Sequence, residues 1–226
     1  MADSYLVPHW DRAALLTIDT QKDFLSEAAY GIPGTTEIVP RAARVAAAFR
    51  AAGLPVVHIV RLYERGGGNA DLARRALLES GVELVAPGSP GSQLADGLAA
   101  AEAPELDAEL LLRGRPQRLA DREYAVFKPR WGAFYRTPLE EVLREHEVDT
   151  LVVVGCNFPN CPRATLVEAS ERDYRLVAVT DAISRVDDRA LAEVAGIGVQ
   201  LMRTDEVVAA LADVPARGQA LPSAAR

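Results

Sequence analysis

The sequence predicts an α/β protein built on a mostly parallel, six-stranded sheet with helices on both faces. Short apolar runs rich in β-branched residues alternate along the chain with segments of helical periodicity, the pattern of successive βαβ crossovers. Those runs are continuously apolar instead of alternating, as strands covered on both faces are. A length of 226 residues, 49% of them hydrophobic and 25% charged, suits a single compact domain over 1–226.

The elements follow in order. AALLTI (13–18) is a buried strand whose carboxyl end carries Asp19. Apolar positions recur at helical spacing over 40–52, and Gly53 stops that helix. PVVHIV (55–60) is the second strand, and His58 inside it reads as a core or wall residue before it reads as a ligand. The stretch 62–122 breaks the alternation. It holds Gly66-Gly67-Gly68, the loop APGSPGS (86–92) and a charged, Leu-rich segment, and is expected to be a lid-like insertion over the site with a helix around 72–80. YAVF (124–127) is the third strand and runs into Lys128. Helices are predicted over 138–146, 163–173, 189–195 and 205–211, and strands over 150–154, 176–180 and 198–202. The Pro- and Ala-rich tail over 213–226 is expected to fray or to swap onto a neighbour.

Composition narrows the function. A formal charge of −7 without a basic cluster argues against a nucleic-acid partner. Two cysteines cannot build a disulfide framework. No run approaches the roughly 18 apolar residues of a membrane span, and the N-terminus lacks a basic and apolar leader pattern, so a cytoplasmic protein without a membrane partner is expected. The three histidines, His9, His58 and His146, form no metal-ligand spacing. There is no GxSxG elbow, no Walker A loop and no dinucleotide fingerprint, so neither metal nor cofactor is predicted.

What remains is three residues at or beyond strand ends, where the ligand crevice of an open α/β sheet lies. Asp19 closes the first strand and Lys128 follows the third. Of the chain's basic residues only Lys22 and Lys128 are lysines, and lysine offers a compact ammonium suited to a pocket. Cys161 stands in GCNFPNCPR (155–163), a tight turn before a helix. Pro162 suits the first helical position, which makes Cys161 the N-cap at the positive end of the dipole. There, and beside Lys128, its thiolate is favoured, and Asp19 could take the thiol proton. Singly, each signal is weak, because a lone cysteine is more often a small buried hydrophobe than a nucleophile. Cys156, directly after its strand, reads as packing.

The segments LLTIDTQKDF (15–24), APGSPGSQL (86–94), FKPRWGAFYRTPLEEVLR (127–144) and VVVGCNFPNCPRATLVEASERDYRLVAVTDA (152–182) resemble, in order and spacing, the isochorismatase-like cysteine hydrolases. The resemblance covers roughly 12–212 and implies a three-layer, Rossmann-like fold. It also implies an Asp-Lys-Cys set with Asp19 as acid/base, Lys128 as the catalytic lysine and Cys161 as nucleophile. A cis peptide between Cys156 and Asn157 and an oxyanion hole from the N–H groups of Asn157 and Cys161 come with it, as does a homo-oligomer, dimer or tetramer. The implied reaction is hydrolysis of a C–N bond in a small-molecule amide, ureide or lactam through a thioester. The alternatives are vinyl-ether hydrolysis or a non-catalytic binding protein on the same fold. Phe24, Trp131 and Phe158 are the expected apolar substrate wall. Two departures bear on the substrate. Phe158-Pro159-Asn160 replaces the family's usual turn, and RLYERGGG (61–68) lacks the histidine of the metal-binding nicotinamidases.

Overall fold

The computed structural model describes residues 4–214; the rest of the predicted tail, from residue 215 onward, lies outside the described residues. Seven strands form one sheet: β1 (Ala13–Ile18), β2 (Val56–Val60), β3 (Gln117–Ala120), β4 (Glu123–Phe127), β5 (Thr150–Gly155), β6 (Arg175–Ile183) and β7 (Gln200–Met202). Their order is β3-β4-β2-β1-β5-β6-β7. All neighbours pair in parallel except β3 with β4.

Helices α1 (Thr35–Ala51) and α7 (Thr204–Ala212) cover one face; α4 (Leu139–Glu145), α5 (Cys161–Ser170) and α6 (Asp188–Ala195) cover the other. The alternation of β-strand side chains decides which residue meets which layer. Ala13 and Leu15 pack with Val45 and Phe49 of α1, while Ala14, Leu16 and Ile18 pack with Leu143 of α4 and Leu166 of α5. All six residues of β1 are buried; burying each of its leucines contributes about 1.5–3 kcal/mol. Between β2 and β4 lie α2 (Leu72–Glu79) and α3 (Ala108–Leu112).

The mostly parallel α/β layout is the expected one, with four corrections. The sheet has seven strands, not six, because 117–120 pairs antiparallel with β4, so the insertion ends before residue 117 and not at 122. Its burial alternates, with Gln117 and Leu119 inward and Arg118 outward. Helix α3 in the Leu-rich segment was not predicted. Helix α1 begins at Thr35 and not at Pro40; Pro40 lies inside it, at the cost of one hydrogen bond. Helix α5 begins at Cys161, with Asn160 as its N-cap. Among the described residues no helix is long and apolar enough to cross a membrane.

Candidate active site

Strand order reverses between β1 and β5, whose neighbours diverge to opposite edges. A crevice forms beyond the carboxyl ends of strands at such a point, and the chain places four chemically capable segments there. Asp19 follows β1, Arg61 follows β2, Lys128 follows β4, and the turn from Cys156 to Cys161 follows β5.

Each is held by its own local device. Asp19 has φ +47, a left-handed conformation that Asp tolerates better than most residues, and its N–H donates to Ile59 O at 2.8 Å. The side chain of Gln21 clamps the next strand end: it accepts from Arg61 N at 2.7 Å and donates to Arg61 O at 2.9 Å and Ser92 O at 2.6 Å. Gly155, at φ +117, lets β5 pass close to β1. A Cβ there would lie 2.2 Å from Ile18 O and 2.6 Å from Ile18 N, contacts no side chain survives. The loop carrying Trp131 is tied to α5, since Ala133 N donates to Thr165 Oγ1 at 3.2 Å and Phe134 N to Glu168 Oε2 at 2.9 Å.

Lys128 is the centre of the arrangement. It is fully buried, and its Nζ donates to Asp19 Oδ2 at 2.8 Å, Cys161 Sγ at 3.2 Å and Arg130 O at 3.3 Å. Three ammonium hydrogens meet three acceptors. Asp19 Oδ1 is buried and takes no donor among the described residues, which leaves one carboxylate oxygen free to accept a proton. The Cys156–Asn157 peptide is cis. The N–H groups of Asn157 and Cys161 donate to no backbone or side-chain acceptor among the described residues, while Phe158 N and Asn160 N donate to Ser184 O and Asn157 O.

The Cys161 thiol departs from the sequence expectation. Burial, followed by the Asp19 carboxylate, pushes it up to about 11 against the pull of Lys128 and Arg61. Desolvation of the charged form outweighs the lysine and the arginine, so the resting sulfur is a thiol and needs a base. Iodoacetamide labelling of Cys161 is therefore expected to be slow at neutral pH and still rising at pH 9, the ordinary thiol value; a plateau reached below that pH would contradict this. Cys156 is buried, donates from Sγ to Asp19 O at 3.1 Å, and is likewise raised by burial, in keeping with a packing role.

Phe24 and Trp131 line the cavity at Cys161, together with Ile32, Arg61, Tyr63 and Arg74. Phe158 does not. Its N–H bond to Ser184 O sets the turn so that the ring lies in the core beneath α5, which corrects its assignment to the substrate wall. The cavity itself is small, about 30 Å³, close to the space of one water. Trp131, half exposed, also borders a groove of about 530 Å³ between α2 and the loop after β4. That groove contains none of the three reactive side chains.

Sequence reasoning missed Arg61 and Arg74. Arg61 follows an apolar strand just as Asp19 and Lys128 do, and that signal was available. His58 is buried against Thr17 and Glu123, and Lys22 pairs with Asp96 at the surface. Among the described residues no group of three or more His, Cys, Asp or Glu side chains is placed to hold a metal ion.

Comparison with known proteins adds an independent finding. The isochorismatase domain matches residues 13–108 and 105–206. A protein of Arabidopsis thaliana named probable inactive nicotinamidase is 34% identical over 182 residues, spanning 78% of this chain and 83% of its own. RutB of Methylobacterium radiotolerans, named ureidoacrylate amidohydrolase, is 30% identical over 191 residues, spanning 78% of this chain and 69% of its own. The structure of an isochorismatase family protein from Desulfovibrio vulgaris superimposes with a TM-score of 0.75 at 32% identity, covering 89% of this chain and 98% of that one. N-carbamoylsarcosine amidase from Thermoplasma acidophilum follows at 0.67 and 26%, covering 86% and 97%.

Proposed function

The chain belongs to the isochorismatase family of hydrolases, and from that premise we propose that it cleaves a non-peptide C–N bond, an amide or ureide of a small molecule, with Cys161 as nucleophile. The observation that carries the reading is Lys128 Nζ joined to both Asp19 Oδ2 and Cys161 Sγ, with Asp19 Oδ1 left free beside them. The names of two relatives, an amidohydrolase of ureidoacrylate and an amidase of N-carbamoylsarcosine, agree with an amide or ureide substrate.

In this mechanism Asp19 Oδ1 takes the thiol proton as sulfur bonds to the carbonyl carbon, and the C=O electron pair moves to oxygen. Lys128 holds the sulfur's developing charge. The N–H groups of Asn157 and Cys161, which have no other acceptor among the described residues, receive the oxyanion; one such donor is worth on the order of 100- to 1,000-fold in rate. The oxyanion then collapses, the C–N bond breaks, and nitrogen departs with the bonding pair and the proton from Asp19. A water attacks the resulting thioester, gives its proton to Asp19, and releases the acid as Cys161 regains its hydrogen. Because the thiol sits near 11, proton transfer and attack are coupled, and no standing thiolate is required.

The test is a panel of amides and ureides scored by ammonia release and by mass spectrometry. The wild type is expected to turn over at least one member, and Cys161→Ala to lose on the order of 10⁴-fold or more while keeping its circular dichroism spectrum. Retained hydrolysis by Cys161→Ala would overturn the assignment.

A further inference from the structure

We infer that the side-chain amide of Asn157 orients the water that hydrolyses the acyl-enzyme, holding one of its hydrogens while Asp19 takes the other; this rests on the hydrolase reading above and deepens it at its second step. Three buried side-chain oxygens among the described residues take no donor. Two of them, Asp19 Oδ1 and Asn157 Oδ1, belong to residues lining the cavity at Cys161. Asn157 is 5% exposed, and its side-chain amide makes no hydrogen bond to any described residue. Burying an amide oxygen without a donor is costly, and an apolar side chain of similar size would avoid that cost. A folded protein keeps such a group where water meets it or where chemistry uses it. The cavity, about 30 Å³, has the space of one water. When a primary amide or a ureide is the substrate, ammonia leaves from beside Asp19 and the water enters there. The two molecules are of nearly equal size, so one small cavity serves both.

Two acceptor oxygens suit the two hydrogens of water. Once the thioester has formed, sulfur has lost its proton and Asp19 has passed it to the leaving nitrogen, so Asp19 Oδ1 is again a bare acceptor. A water held by both oxygens donates one hydrogen to each and turns a lone pair toward the thioester carbon. As its oxygen bonds to that carbon, one proton passes to Asp19 Oδ1 and the C=O pair moves to oxygen. The tetrahedral species collapses, the C–S bond breaks with its pair on sulfur, and sulfur takes the proton from Asp19. The second hydrogen, held by Asn157 Oδ1 throughout, leaves as the hydroxyl of the product acid. Lys128 cannot hold this water by its hydrogens, since all three ammonium hydrogens already have acceptors. The backbone N–H of Asn157 stays with the oxyanion, because only the side chain is used here. Without Asn157 the water would turn freely about its single bond to Asp19.

Partitioning of the acyl-enzyme reads this step directly. The full chain would turn over a panel amide in the presence of hydroxylamine, which attacks a thioester without help from a base. Mass spectrometry then gives the ratio of hydroxamate to acid. That ratio depends neither on how fast the thioester forms nor on how much of the protein is folded, because only acylated enzyme yields either product. Asn157→Ala keeps the backbone N–H and is expected to raise the ratio on the order of 10- to 100-fold, the effect of losing a reactant's orientation. Asn157→Asp keeps an acceptor oxygen in the same place and should stay within a few-fold of wild type. An unchanged ratio in Asn157→Ala, or an equal rise in Asn157→Asp, would overturn the inference. A change confined to KM would do so too, by placing the amide on the substrate. The hydrolase reading fails by a different result. Turnover that persists in Cys161→Ala, or a wild type that turns over no panel member, removes that reading and this inference with it. Cys161-dependent turnover with unchanged partitioning removes the role of Asn157 alone.

Discussion

Asp19→Asn is expected to lower hydrolysis by on the order of 100- to 10,000-fold, the usual contribution of a positioned acid/base, and at the same time to make Cys161 easier to alkylate. The two effects have opposite signs for one reason. The carboxylate receives the thiol proton during attack, so losing it removes the base. The same carboxylate raises the thiol, while Lys128 and Arg61 pull it down. Without Asp19 only burial still opposes the two cations, and more thiolate exists at neutral pH. Iodoacetamide rates mapped to Cys161 by mass spectrometry, measured beside turnover, would check both. A variant that loses activity and also labels more slowly would show that Asp19 acts through the fold and not on the sulfur.

The second large effect lies at the other end of the sheet. Glu123 opens β4 and is wholly buried. Its Oε1 accepts from Arg50 Nη2 at 2.8 Å and Ala100 N at 3.0 Å and meets His58 Nε2 at 2.8 Å, and its Oε2 accepts from Arg50 Nε at 2.6 Å. His58 in turn meets Thr17 Oγ1 at 2.8 Å, so one carboxylate joins β1, β2, β4, α1 and the insertion. Burial alone would raise its pKa, but the Arg50 fork and His58 more than offset that and hold it at about 2. Glu123→Ala is expected to destabilise the fold by about 3–5 kcal/mol, because it strands Arg50 and His58 without their acceptor. In a domain of this size that lowers Tm by roughly 10 °C.

Acid should act on the same network. A carboxylate held at about 2 in the fold, against an ordinary 4.5, contributes stability that is fully present above 4.5 and lost as pH falls toward 2, about 3 kcal/mol in all. Burial lowers His58 below 6.5 despite Glu123, so its stability too is present above 6.5 and lost on acidification. Urea unfolding of wild type and Glu123→Gln between neutral pH and pH 3 would test this. The wild type should lose stability throughout, and the variant should show a smaller fall below pH 4.5. A Glu123→Ala cost under about 1 kcal/mol would mean that the network carries little.

Much of this was legible in the sequence because the informative signals are local. Uninterrupted apolar runs ending in Asp19 and Lys128 require only that buried strands stop where the chain becomes polar. The order of motifs then tied Cys161 to them. What escaped notice depends on contacts between distant segments. The high thiol pKa comes from what covers Cys161, including residues of 61–74, and burial of that kind has no local signature. Phe158 belongs to the turn that departs from the family's usual one and is expected in the substrate wall, yet a backbone bond to Ser184 turns it inward. Strand β3 does show period-two burial, but four residues among charged neighbours do not announce a strand. His58 reads as a core residue from its strand alone; Thr17 and Glu123, the partners that make the position tolerable, lie 41 and 65 positions away.

The two ends of the sheet bear on how the chain behaves when concentrated. An unpaired edge is a template for a further strand and hence for aggregation. Here β7 at one end has three residues, while β3 at the other has four, with a register break between Arg118 and Ala120 and an outward-facing Arg118. Neither edge offers a long, flat, uncharged row of backbone donors. Edge-to-edge pairing between copies of this chain is thus disfavoured.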